Sequence, residues 1–215
     1  MKSLLNLGAG KIDNIDNSRY QSYTHVVHVD RYFDEKNSKS ISQTEEYISH
    51  SAPGGTFVGD VVPTYACCRA DIFEFLDTFR YKFDDVIAER IFEHMEWTNG
   101  EIGRLIEAVN MISRPNATLT IVVPNSIKLA KMLLNYEEHC DELDRIDLRK
   151  HKLIINTEFC NIRCDPHLSV WTPVLAKEYI ESEGSWVIDS IDENYHFANR
   201  DIYMKIVCKK PKENK

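Results

Sequence analysis

The strongest constraint on this chain lies near its start. Leu4, Leu5 and Leu7 form a short apolar run around Asn6, and Gly8 and Gly10 follow it. A run of this length reads as a buried strand of a parallel sheet. The two glycines permit a tight turn and, lacking Cβ, let a ligand lie against the backbone. A turn of this kind brings a cofactor to the carboxyl end of the first strand. A second apolar run, His25–Val29, ends in Asp30. That acid falls about 20 residues after the glycines, the distance at which a strand-end carboxylate accepts hydrogen bonds from ribose hydroxyls. Strand, glycine turn, strand and acid together point to a nucleoside site.

The rest of the chain alternates in the same manner. Residues 11–24 are rich in Asp, Asn and Ser, which favour turns over a regular first crossover helix. The polar stretch 34–51 has room for one short helix, at 44–49. Residues 56–61 read as a third strand with Asp60 near its end. Ile72, Phe75, Leu76 and Phe79 recur at helical spacing behind Asp71 as cap. Residues 83–89 read as a fourth strand, 102–112 as an amphipathic helix closed by Pro115 and Asn116, and 117–123 as a buried strand. A helix over 126–138 and a strand over 153–159 follow. Thr172 and Pro173 open a helix that Gly184 ends. Residues 185–191 and 201–208 make an antiparallel pair joined by a polar loop. The expected architecture is an α/β, Rossmann-like three-layer sandwich. Its sheet is mostly parallel and seven-stranded, with an antiparallel C-terminal hairpin. It forms a single domain over 1–215, with 126–165 as an inserted lid or subdomain.

Composition narrows the function classes. The chain has 215 residues, 43% hydrophobic and 28% charged, enough for one sizeable core. No apolar run approaches the roughly 20 residues that span a bilayer. The start lacks a signal-peptide pattern, so a cytoplasmic location is expected. A net charge of −8 argues against a nucleic-acid footprint. The six cysteines are then expected as reduced thiols. Cys160, Cys164 and His167 lie close in sequence, but their spacing matches no zinc pattern, and no metal is expected. Asn116-Ala117-Thr118 is a glycosylation sequon that carries no sugar in the cytosol.

The order of these motifs resembles the class I S-adenosylmethionine-dependent methyltransferases. The first-strand glycine motif is matched by Leu5 to Gly10, the ribose-binding acid by Asp30, and the adenine-contacting acid by Asp60. More narrowly, Phe83-Asp84-Asp85-Val86 through Glu93-His94-Met95 is similar to the fourth-strand segment of a bacterial and phage group of methyltransferases. His167 to Pro173 is similar to that group's lead into its last helix. The chain departs from the pattern in three places. Asn6 replaces an acid, Ile12 stands where a third glycine would fall, and the polar stretch after Asp30 is long.

The resemblance implies S-adenosyl-L-methionine as cofactor, with Asn6, Gly8, Gly10, Asp30, Asp60 and Glu89 around it. Glu93 and His94 are the candidate catalytic pair, because a neutral imidazole takes a proton from an amine or hydroxyl. Arg90, Trp97, His167 and Trp171 are candidate substrate contacts. Glu89-Arg90-Ile91-Phe92 stands where enzymes that methylate base amino groups carry an Asp/Asn-Pro-Pro-Tyr motif, and no Pro-Cys pair occurs. The expected acceptor is therefore a small molecule, a sugar or a protein side chain rather than a DNA base. Two rivals stand beside this reading. One is an NAD-type oxidoreductase, against which the dinucleotide fingerprint fails at Asp13. The other is a non-catalytic scaffold that keeps the fold.

Overall fold

The computed structural model describes residues 2–10, 17–31, 46–49, 65–139, 167–182, 184–197 and 200–212. Eight strands form one sheet: β1 (Ser3–Leu7), β2 (His25–Val29), β3 (Glu46–Ser49), β4 (Tyr65–Arg69), β5 (Phe83–Glu89), β6 (Ser113–Pro124), β7 (Val187–Phe197) and β8 (Arg200–Lys209). Their spatial order is β3-β4-β2-β1-β5-β6-β8-β7. All pairs from β3 to β6 are parallel, while β8 runs antiparallel to both β6 and β7. The helices are α1 (Ile72–Thr78), α2 (Glu101–Met111), α3 (Ser126–His139) and α4 (Pro173–Glu181).

This is the expected mostly parallel α/β sheet with its C-terminal hairpin, extended at one edge. The eighth strand, β3, occupies residues for which a short helix was expected. Residues 65–69, for which no strand was expected, form β4. It lies beside β2, whose Val26 to Val29 pair with Tyr65 to Cys68 of β4, whereas residues 56–61, expected as the third strand, lie outside the described residues.

Period-two alternation along β1 sorts the core. Leu5 and Leu7 are fully buried in one large cluster with Phe75 and Leu76 of α1, Leu105, Ile106 and Val109 of α2, and Ala176 and Ile180 of α4. Leu4 faces the other side, against Tyr20 and Val26. Further along that face Leu129 of α3 meets Val122, Ile202 and Tyr203. The first third of the segment expected as an inserted lid or subdomain is the expected helix, whose Leu129 packs on the sheet. Its remainder, 140–166, is outside the described residues, as is the strand expected at 153–159. Among the described residues no helix is long and apolar enough to cross a membrane.

Two strands outrun their sequence signals. Asn116, expected to terminate a helix, instead sits at φ 65 inside β6, where the pairing jumps from Phe83–Ser113 to Asp85–Thr118. Asn tolerates the left-handed region, so the strand continues through an irregularity. The polar segment after Ile191 continues β7 as far as Phe197, with register shifts against β8.

The apolar interior of β2 contains a histidine. His28 is fully buried, and its Nδ1 lies 3.0 Å from Nδ2 of Asn6. Desolvation pushes the imidazole down to about 3. Its unfolded value is near 6.5, so between these limits the unfolded chain binds the extra proton. The stability from a neutral His28 is therefore complete above pH 6.5 and is lost as pH falls toward 3. Denaturant titrations at pH 7 and pH 5 should show a slope of up to about 1.4 kcal/mol per pH unit from this group. His28→Gln should flatten that slope, and equal slopes in both proteins would contradict the assignment.

Candidate functional site

The carboxyl ends of β1, β2, β4 and β5 open onto one cavity of about 820 Å³, the size of a cofactor site. Ligands of open α/β sheets bind at this edge. Each strand delivers its residues there: Gly8 and Gly10 after β1, Asp30 and Arg31 after β2, Asp71 after β4, and Arg90 and Ile91 after β5.

Both glycines of the first turn are required, for different reasons. Gly8 has φ +69, and a Cβ there would lie 2.2 Å from Cδ1 and 2.5 Å from Cγ1 of Ile91. Its N–H donates to the Val29 carbonyl at 2.9 Å, which ties the turn to β2. Gly10 has φ +76, with no atom within 4 Å of where a Cβ would stand. Its N–H donates to Oδ2 of Asp30 at 2.8 Å. The largely buried Asp30 carboxylate therefore fixes the glycine turn from across the cavity floor. Asn6 also reaches the wall, and its Nδ2 lies 3.2 Å from the Tyr20 hydroxyl as well as beside His28.

Asp71 is the site residue that sequence reading used only as a helix cap. Its Oδ1 accepts from the N–H of Phe73 at 2.9 Å and of Glu74 at 3.3 Å, and the residue lines the cavity at the end of β4. The available signal was an acid between a strand and an amphipathic helix. It was hidden because β4 itself, Tyr65-Ala66-Cys67-Cys68-Arg69, lacks a Val/Ile run. Asp60 lies outside the described residues, as do Cys160 and Cys164.

Glu89 and Arg90 both line the cavity. The Glu89 carboxylate takes two hydrogen bonds from the Arg19 guanidinium, at 3.3 and 2.5 Å. This pairing, working against burial, raises the Arg19 pKa above its already high value. Arg90 adopts φ 59 and donates its backbone N–H to Val122 at 2.8 Å. A left-handed conformation at a residue with a Cβ costs about 1–2 kcal/mol, and such residues gather at functional sites.

The chain then makes a 3-10 turn, Phe92–His94. The Glu93 carbonyl accepts from the N–H of Leu168 at 2.7 Å and of Ser169 at 3.2 Å. This clamp brings His167 beside His94, with ring centroids 4.9 Å apart at 71°. His94 lines the cavity, whereas Glu93 is buried at 1% exposure and, like His167, is not part of the lining.

The two tryptophans expected to contact substrate do not line this cavity. Trp171 is 1% exposed, edge-on to Phe92 at 5.6 Å and to Tyr179 at 5.1 Å, with Nε1 donating to Oγ of Ser169 at 2.9 Å. It is a core residue, because the apolar side of α4 needs a large ring to fill its contact with the sheet. Trp97 is 55% exposed and leans on Tyr179.

No protein-family model matches the sequence, and no curated protein does. Solved structures do match. The N-methyltransferase NodS from Bradyrhizobium japonicum WM9 aligns with a TM-score of 0.56 at 8% identity, over 98% of this chain and 86% of its own. S-adenosylmethionine-dependent methyltransferases align from Methanosarcina mazei (TM-score 0.54, 12% identity, 98% and 93% of the two chains) and, as a putative enzyme, from Listeria monocytogenes (TM-score 0.54, 11% identity, 98% and 92%). The molecule thus has the fold of the class I S-adenosylmethionine-dependent methyltransferases. Its ligand edge is built from Gly8, Gly10, Asp30 and Asp71.

Proposed function

We propose that this protein binds S-adenosyl-L-methionine in the β1–β2–β4–β5 cavity and transfers its methyl group to a small molecule, a sugar or a protein side chain. The observation that carries this reading is the Gly8–Gly10 turn, held from across the floor by the Asp30 carboxylate at 2.8 Å. The residues present fit the cofactor. The open space at Gly10 admits a ligand against the backbone, Asp30 stands where ribose hydroxyls would donate, and Asp71 on the cavity lining would accept from the adenine amino group. Like NodS, which has been crystallised with S-adenosyl-L-homocysteine, the chain would hold the product as well as the substrate form. When bound, the cofactor supplies an electrophilic methyl group on a sulfonium.

The chain's own contribution is largely positioning. Holding an acceptor in line with the methyl group converts a bimolecular step into a local one. His94 is the imidazole on the cavity wall and is placed to take a proton from a hydroxyl or amine acceptor. The motif after β5, Glu89-Arg90-Ile91-Phe92, supports an acceptor other than a DNA base.

Calorimetric titration with S-adenosylmethionine, S-adenosylhomocysteine and NAD tests the reading. Binding of both sulfur compounds and not of NAD is expected. Binding of NAD alone would turn the reading to an oxidoreductase, and binding of none to a scaffold. In the same assay Asp30→Ala should weaken cofactor binding by about 1–3 kcal/mol, the scale of a lost hydrogen bond to a charged group. Unchanged affinity would remove Asp30 from the site.

A further inference from the structure

We propose that Glu93, His94 and His167 form a divalent-cation site at the edge of the cofactor cavity. One carboxylate oxygen and one nitrogen from each imidazole all lie within 4.8 Å of one another. The three come from two segments far apart in sequence, and the backbone rather than side-chain chance joins them. Leu168 and Ser169 donate their N–H groups to the Glu93 carbonyl, and the Ser169 hydroxyl donates to the Phe92 carbonyl at 2.9 Å. The two rings meet edge-on instead of stacking, so their nitrogens can converge on one point. Burial makes the Glu93 carboxylate a strong partner for positive charge, since little water competes for it.

The chemistry of the donors selects the ion. Two imidazoles and one carboxylate favour zinc, manganese, iron(II), cobalt or nickel over magnesium or calcium, which prefer oxygen alone. Ligands bound to one such ion at about 2.1 Å lie roughly 3.0–3.4 Å apart. Loading therefore draws the three atoms together by at most about 1.4–1.8 Å, a movement that rotation of the half-buried imidazoles supplies. Three protein ligands leave coordination positions open. Because His94 is on the cavity wall, those positions are reachable by an acceptor oxygen or nitrogen. The ion would then orient the acceptor, and the His94 nitrogen that binds it would no longer take a proton. This last role rests on the methyl-transfer reading; binding of the ion does not.

The test uses the full chain, stripped with a chelator and free of any nucleoside. Equilibrium dialysis against manganese and zinc should show one equivalent per chain, and magnesium none. His94→Gln and His167→Gln should each weaken manganese binding by more than about 100-fold, above the loss caused by disturbing a ligand's hydrogen-bond partner. Circular dichroism melts of the two variants guard against reading misfolding as lost ligation. The d–d absorption of a cobalt-loaded protein should change in both. Absence of stoichiometric binding in the folded protein would overturn the site. So would zinc or manganese bound with undiminished affinity in both histidine variants, which would place the ion on other groups. None of these outcomes depends on whether S-adenosylmethionine binds.

Discussion

Gly8→Ala should lower the melting temperature by roughly 5–15 °C and, on the proposed function, abolish S-adenosylmethionine binding. Two costs combine. The left-handed conformation at φ +69 costs about 1–2 kcal/mol once a Cβ is present. The new methyl group also collides with the Ile91 side chain at both Cγ1 and Cδ1, and stands 3.2 Å from the Glu89 carbonyl. Forcing a methyl group into an occupied space costs about 1–3 kcal/mol, and in a chain of this size each kcal/mol shifts the midpoint by about 2–4 °C. The control is the double variant Gly8→Ala/Ile91→Ala. It should recover the steric part and leave the backbone part. Gly10→Ala is the second control, since its Cβ meets nothing within 4 Å. It should cost only the backbone strain, while still impairing the binding of a ligand laid against the turn. A Gly8→Ala protein as stable as the parent would mean that the turn relaxes freely and does not set the cavity floor.

Trp171→Ala should destabilise the fold by about 3–5 kcal/mol, the usual cost of emptying a large buried aromatic site. The ring contacts Phe92 and Tyr179, and its indole N–H is paired with Ser169. Removal therefore leaves a void and takes away the donor from which the Ser169 hydroxyl accepts. Trp171→Phe keeps most of the volume and should fall between the two. Chemical denaturation gives the magnitude directly. A Trp171→Ala protein of full stability with altered substrate affinity would restore the substrate-contact reading that its burial rules against.

The contrast between these residues shows what the sequence made legible. Leu4 to Gly10 could be read because a buried parallel strand is a continuous apolar run, and because a glycine pair directly after it has few other uses. Asp30 followed by spacing alone. The tryptophans could not be placed, since a large ring suits a pocket and a core equally well. β4 escaped because the run Tyr-Ala-Cys-Cys-Arg carries small side chains, and Asp71 escaped with it as a residue of the cavity lining. β3 was masked by a polar composition. The clustering of His94 with His167 was invisible for a different reason. Nothing local links residues more than seventy positions apart, and the Glu93 carbonyl that clamps them carries no sequence signature.

The position of β7 bears on how the molecule behaves in a crowded solution. Among the described residues only β8 pairs with it, which places β7 at the edge of the sheet. An edge strand of eleven residues is in general a template on which another chain can add as a strand. Here Asp189, Asp192 and Glu193 stand exposed along it, and the shifts in register against β8 break its regularity. Charge and irregularity are what discourage edge-to-edge growth. The polarity that disguised the second half of this strand as a loop thus also works against edge-to-edge association of the sheet.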